Sequence, residues 1–172
     1  TLKITIKGKG GHAAMPDKCI DPVVVGAQII SALQSVVSRN VAPLNSAVVS
    51  ITMVNAGFVS NVVPDDMQLT GSLRYFSKEV GDEVKDKIKN IVEGVSQSMG
   101  ASATFESLPN YPATINTPKH SELCANAAAM VVGEKHHSSL VESFQQHHSS
   151  MRATLAIHRG KRHRITIFAL VF

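Results

Sequence analysis

Tryptophan is absent from these 172 residues, aromatic residues make up only 5%, and there are only two cysteines. Cys19 and Cys124 stand far apart, so the sequence offers neither a disulfide framework nor the close cysteine spacing of a metal knuckle. Free thiols in a reducing, cytoplasmic setting are expected, with a single Cys19–Cys124 bridge as the alternative. Charge is sparse at 17% against 44% hydrophobic residues, which fits a globular chain with a real core. No apolar run approaches the roughly 20 residues that span a bilayer. No secretory leader is expected at the start, and no membrane partner.

Acidic charge is what the last stretch lacks. Residues 1–134 hold 11 Lys/Arg against 12 Asp/Glu, a balance of −1, whereas residues 135–172 hold 6 against 1, a balance of +5, with 6 of the 8 histidines. The overall +4 therefore comes from the tail and does not argue for nucleic-acid binding by the body. His136-His137 and His147-His148 invite a metal reading, but adjacent imidazoles seldom face one ion, so no metal site is expected there. A solvated low-complexity tail accounts for them. The closing Ile165 to Phe172 run is apolar and β-prone.

What is present is a clear alternation of elements. Leu2 to Gly8 alternates as a strand and runs into Gly10-Gly11-His12-Ala13-Ala14-Met15-Pro16, a loop opened by two glycines and closed by proline. Asp21-Pro22 caps a helix through about Arg39, with Val24, Ala27, Ile30, Leu33, Val36 and Val37 at helical spacing. Ala47–Val54 reads as a strand, residues 57–64 as a loop, and Met67–Phe76 as a strictly alternating strand. Ser77 caps a second helix that carries Val80, Val84, Ile88, Ile91, Val92, Val95 and Met99 on one face, with Glu83 and Lys87 paired on the other. Gly100 ends it, and residues 101–106 form a fourth strand. The order β-α-β-β-α-β with two one-sided helices predicts an α+β ferredoxin-like sandwich: a four-stranded antiparallel sheet with both helices on one face. Pro109 to Pro112 reads as a linker, followed by a helix between Asn116 and Gly133.

Three groups carry candidate chemistry. His12 at a strand end can donate a hydrogen bond or shuttle a proton, or it can simply satisfy loop carbonyls. Asn61 in Asn61-Val62-Val63-Pro64 is a turn asparagine or a polar contact for a ligand. Arg74, ending Gly71-Ser72-Leu73-Arg74, is a strand-end salt bridge or a planar carboxylate clamp.

The order and spacing of Gly11-His12-Ala13-Ala14-Met15-Pro16, Asn61-Val62-Val63-Pro64 and Gly71-Ser72-Leu73-Arg74 resemble the dimerisation lid of zinc metallopeptidases and amidohydrolases. That family includes aminoacylases, hippurate hydrolases, auxin-conjugate hydrolases and enzymes of the carboxypeptidase G type. The resemblance covers roughly residues 1–134, and Asp17 departs from it where histidine usually follows the loop proline. It implies the same ferredoxin-like fold and a parent enzyme that hydrolyses N-acyl amino acids or related amides with two divalent metals. These are zinc, with manganese or cobalt as alternatives. It implies His12 as the catalytic oxyanion donor, Asn61 and Arg74 as substrate-binding residues, and no metal ligand in this chain. A homodimer through the lid is implied, with His12 acting in cis or from the partner. The loop at residues 57–60 is a candidate wall of the acyl pocket.

The resulting division is a lid at 1–112, a return segment at 113–140 and an atypical basic tail at 141–172, expected to be poorly ordered. Truncation or a changed reading frame after about Leu140 is expected, with a lineage-specific extension as the alternative. The chain alone is expected to be inactive, since ligands and general base belong to a catalytic domain outside it. Two other classes remain open: a stand-alone interaction module, and a ferredoxin-like small-molecule-binding domain. An enzyme lid requires His12, Asn61 and Arg74 to converge on one surface; the others do not.

Overall fold

The computed structural model describes residues 1–108 and 117–132. The chain divides into two units, 1–113 and 114–172. In the first, β1 (Leu2–Lys7) is followed by the two-residue strand β2 (Gly11–His12) and a 3-10 turn at Pro16–Lys18. Then come α1 (Pro22–Asn40), β3 (Ala47–Ala56), β4 (Val62–Val63), β5 (Asp66–Tyr75), α2 (Lys78–Ser98) and β6 (Ser102–Ser107). In the second, α3 (Pro118–Val132) stands where a helix was expected.

The main sheet has the order β3-β5-β1-β6 and is antiparallel throughout. Alternation decides its two faces. Leu2, Ile4 and Ile6 of β1 and Met67, Leu69 and Leu73 of β5 are buried with Val25, Ile29, Leu33 and Val36 of α1 and Val80, Val84, Ile88 and Val92 of α2 in one core. Both helices therefore cover one face, the ferredoxin-like α+β sandwich the residue pattern predicts. Lys3, Thr5, Gln68, Thr70, Ser72 and Arg74 occupy the alternate positions and line the other, polar face. Gly71 is required in β5 because a Cβ there would collide with the Ser50 carbonyl of the neighbouring strand, next to the bulge between Ile51 and Met53.

The helix signals work as expected at the ends. The Asp21 carboxylate accepts the Val23 amide at 2.8 Å and the Ser77 hydroxyl accepts the Val80 amide at 3.2 Å. Gly100 adopts φ 77°, the left-handed value that follows a helix end.

Two expectations need correction. The buried stripe of α1 is Val25, Ile29, Leu33 and Val36, while Val24 is exposed. Valine at three successive positions and isoleucine at two leave the stripe ambiguous by one residue, and packing on the sheet selects it. Among the described residues, Glu83 and Lys87 do not pair; the ion pairs of α2 are Lys78–Asp82, Lys85–Asp82 and Lys89–Glu93. Asp82 lies between two lysines and captures both. The expectations for the Pro109–Pro112 linker, the histidine pairs and the 141–172 tail lie outside the described residues, as does the Cys124 side chain. Cys19 is a free thiol. Among the described residues, no helix is long and apolar enough to cross a membrane.

Candidate functional site

The loop after β1 is held by backbone contacts at every step. Lys9 and Ile20 exchange two hydrogen bonds of 2.8 and 2.9 Å, so the chain leaves β1, turns through His12 and returns beside itself. The Met15 amide donates to the His12 carbonyl at 2.8 Å, closing a turn before Pro16. The glycines serve close approach rather than left-handed backbone, since among the described residues the positive-φ glycines are Gly57 and Gly100. A Cβ at Gly10 would lie 2.6 Å from the Val63 carbonyl oxygen and 2.9 Å from Asp65 Oδ1.

This loop meets the Asn61 turn. Gly11 pairs with Val63 and His12 with Val62 in a small antiparallel ribbon, and the Ala13 amide donates to the Asn61 carbonyl at 3.0 Å. His12 and Asn61 are thus neighbours on one exposed ribbon, although 49 residues apart in sequence. The ribbon is invisible in the sequence because two-residue strands carry no periodicity.

The Ala14 amide donates to His12 Nδ1 at 3.1 Å. A backbone N–H can only donate, so Nδ1 must present its lone pair, and the neutral ring carries its proton on Nε2. No described residue meets Nε2, so the ring is not spent on loop carbonyls and offers one N–H outward. The exposed Asn61 carboxamide likewise makes no hydrogen bond among the described residues.

Arg74 is half-buried on the polar sheet face, opposite Val48 of β3. Its Nη1 donates to the Leu73 carbonyl at 3.3 Å, and it forms no ion pair among the described residues. Its charge, after partial burial, helps to lower the Thr1 amine from its ordinary pKa. That places Arg74 at the Thr1 end of the sheet. The ribbon adjoins the other end, where Lys7 pairs with Asp66. Eight residues of extended β5 separate the two, roughly 27 Å. Within one copy, then, the His12 loop and the Asn61 turn come together and Arg74 does not join them.

Asp17 sits in the exposed 3-10 turn. Asp65, which closes the Asn61-Val62-Val63-Pro64-Asp65 stretch and carried no expected role, accepts the Gly10 amide through its Oδ1 at 2.9 Å and the Gly8 amide through its carbonyl at 2.9 Å. An acid placed directly after the turn proline was the available signal. Among the described residues no three His, Cys, Asp or Glu side chains gather, so they do not make a two-metal site. A shallow groove lined by Glu93, Ser96, Gln97 and Ser102 lies between α2 and β6 and contains none of the candidate residues.

Comparison with known proteins agrees with this architecture. The model of the peptidase dimerisation domain matches residues 1–98. N-acetylcysteine deacetylase of Bacillus subtilis is 44% identical over 128 residues, 74% of this chain and 34% of that protein. Hippurate hydrolase of Campylobacter jejuni is 36% identical over 135 residues, covering 78% of this chain and 35% of its own length. A dinuclear metal-binding peptidase of the M20 family from Bacillus subtilis superposes with a TM-score of 0.55 at 35% identity, over 76% of this chain and 31% of that one. The chain spans about a third of the length of these relatives. With the resembling motifs, the sheet and the family model all falling on the same residues, the chain belongs to the M20 family of metallopeptidases and amidohydrolases, and its first body is their dimerisation domain.

Proposed function

We propose that this chain forms the homodimerising, substrate-gripping lid of a metal-dependent amidohydrolase that cleaves N-acyl amino acids or related amides. The observation that carries the reading is the ribbon that joins the His12 loop to the Asn61 turn, with the Ala14 amide fixing His12 Nδ1 as the acceptor and leaving Nε2–H as the donor. A preorganised donor there suits the oxyanion that develops when an amide carbonyl is attacked, a contact worth roughly 10²–10³ in rate. The Asn61 carboxamide supplies a second polar contact, and the guanidinium of Arg74 suits the free carboxylate of an acyl amino acid. The names of the relatives, an N-acetylcysteine deacetylase and a hippurate hydrolase, fit that substrate class. The paired metals belong, in this reading, to the part of the whole enzyme that lies outside the described residues. Zinc is the expected metal, with manganese or cobalt as alternatives.

A second copy resolves the separation of Arg74 from the ribbon. Strand β3 is a ten-residue edge without a charged side chain, and α1 beside it has none before Arg39. An unguarded edge of this kind is a template for pairing. Two β3 strands paired antiparallel about a two-fold axis put the Val48 end of one copy beside the Ala56 end of the other. Arg74 then lies two strand spacings, about 10 Å, from the start of its partner's ribbon-bearing loop. Leu44 and Phe58, exposed at opposite ends of β3, meet across the same axis.

The test has two arms. The 172-residue chain is expected to sediment as a dimer and to release no amino acid from N-acyl substrates, with or without added zinc. In a whole enzyme carrying this lid, His12→Ala should lower kcat by roughly two to three orders of magnitude with KM nearly unchanged, because an oxyanion donor acts in the transition state. Arg74→Ala should raise KM. A His12→Ala enzyme with unchanged kcat defeats the oxyanion role, and a monomer at all concentrations defeats the dimer.

A further inference from the structure

We propose that Asp65 is a positioning residue that holds the His12 loop and the Asn61 turn as one unit. This rests on the reading of His12 as an oxyanion donor, but its structural half can be tested without catalysis. A ribbon of two residue pairs is far too short to support itself, since even longer isolated hairpins are marginal in water. Something outside it must fix its register. The Lys9–Ile20 bridge ties the loop back to its own return path, not to the Asn61 turn.

Asp65 makes the missing connection twice. Its carbonyl takes the Gly8 amide as the chain leaves β1, and its Oδ1 takes the Gly10 amide two residues later, both at 2.9 Å. Donors two apart in an extended chain point the same way, so one residue grips both. Gly10 is shaped to allow the grip, because a Cβ there would press on both the Val63 carbonyl and Asp65 Oδ1. Immediately beyond lie Gly11 and His12, which pair with Val63 and Val62. The clamp therefore fixes how the His12 ring, already set by the Ala14 amide, stands relative to Asn61. Asp65 is exposed, and its side chain takes no part in the core. Its loss should therefore loosen the ribbon without unfolding the sheet.

Nuclear magnetic resonance on the full 172-residue chain tests this. In Asp65→Ala, hydrogen exchange at the Ala13 amide should accelerate roughly ten- to hundredfold, the effect of losing one charge-assisted hydrogen bond. The His12 Nδ1 resonance should move from that of a lone-pair nitrogen towards the tautomer average, while β1 amides keep their protection. Asp65→Asn keeps an acceptor and should restore both signals. Gly10→Ala, whose methyl would press on both the Val63 carbonyl and Asp65 Oδ1, should accelerate Ala13 exchange at least as much as Asp65→Ala. Unchanged Ala13 exchange and ring nitrogens in Asp65→Ala overturn the proposal, as does failure of Asp65→Asn to rescue. In the whole enzyme, Asp65→Ala should lower kcat more than it changes KM. If His12→Ala leaves kcat intact while Asp65→Ala still loosens the ribbon, the clamp stands and the oxyanion reading falls.

Discussion

A single methyl group at position 71 would strike the Ser50 carbonyl across the β3–β5 pair. The strands there are already adjusted by a bulge, so little room remains for further shift. Gly71→Ala is expected to destabilise the first body by about 1–3 kcal/mol, the usual cost of overpacking. Urea unfolding should show a lower midpoint with unchanged slope. Asp82 gives a residue-scale pH effect. Hydrogen bonds from Lys78 and then Lys85 hold its carboxylate below the ordinary range. A lowered folded-state pKa means that its contribution is present above the ordinary carboxylate value and is lost as pH falls through the lowered one. Asp82→Asn should therefore flatten the acid limb of a stability–pH curve and leave the neutral region with weaker dependence. At this scale the positions of His12 at a strand end and Asn61 in a turn were legible, whereas their candidate roles, like that of Arg74, came from the resemblance of their motifs to the family. The role of Asp65 was not legible, because it depends on Gly10, a residue 55 positions away.

Among the elements, charge is distributed with a clear asymmetry. Helix α2 carries three ion pairs on its outer side, and β6, the other sheet edge, is six residues long with Glu106 in it. Helix α1 and strand β3 are nearly free of charge and leave Val23, Val24, Met53 and Val54 exposed. Solvated elements keep their charges and covered ones lose them. Met53→Lys should accordingly shift the dimer towards monomer in analytical ultracentrifugation, since it sets like charges near the two-fold axis. Lys89→Gln on α2 should leave the mass unchanged. A dimer insensitive to Met53→Lys would move the interface elsewhere. The long elements could be read from the sequence because alternation and helical spacing persist over many residues. The two-residue β2 and β4 could not, being set wholly by a partner distant in the chain.

The whole molecule is where the three candidate residues either meet or fail to meet. One copy separates Arg74 from the ribbon by the length of β5, whereas an antiparallel pair of copies crosses them over. Whole enzymes bearing His12→Ala and Arg74→Ala should each be impaired. A heterodimer of the two should recover up to about half of wild-type activity, because one of its two sites then combines intact His12 from one subunit with intact Arg74 from the other. No recovery in verified heterodimers would assign both residues to one subunit's site. The element order foretold the sheet and its one-sided helices. The separation of Arg74 from the His12 loop was not readable, since it follows from the register of β5 against β1 and β3. One more contact bears on the whole. The Leu108 amide donates to the Thr1 carbonyl at 2.9 Å, so the first and last strands of this body run side by side. A body with such adjacent ends can be spliced into a host chain without prising the host's own backbone apart.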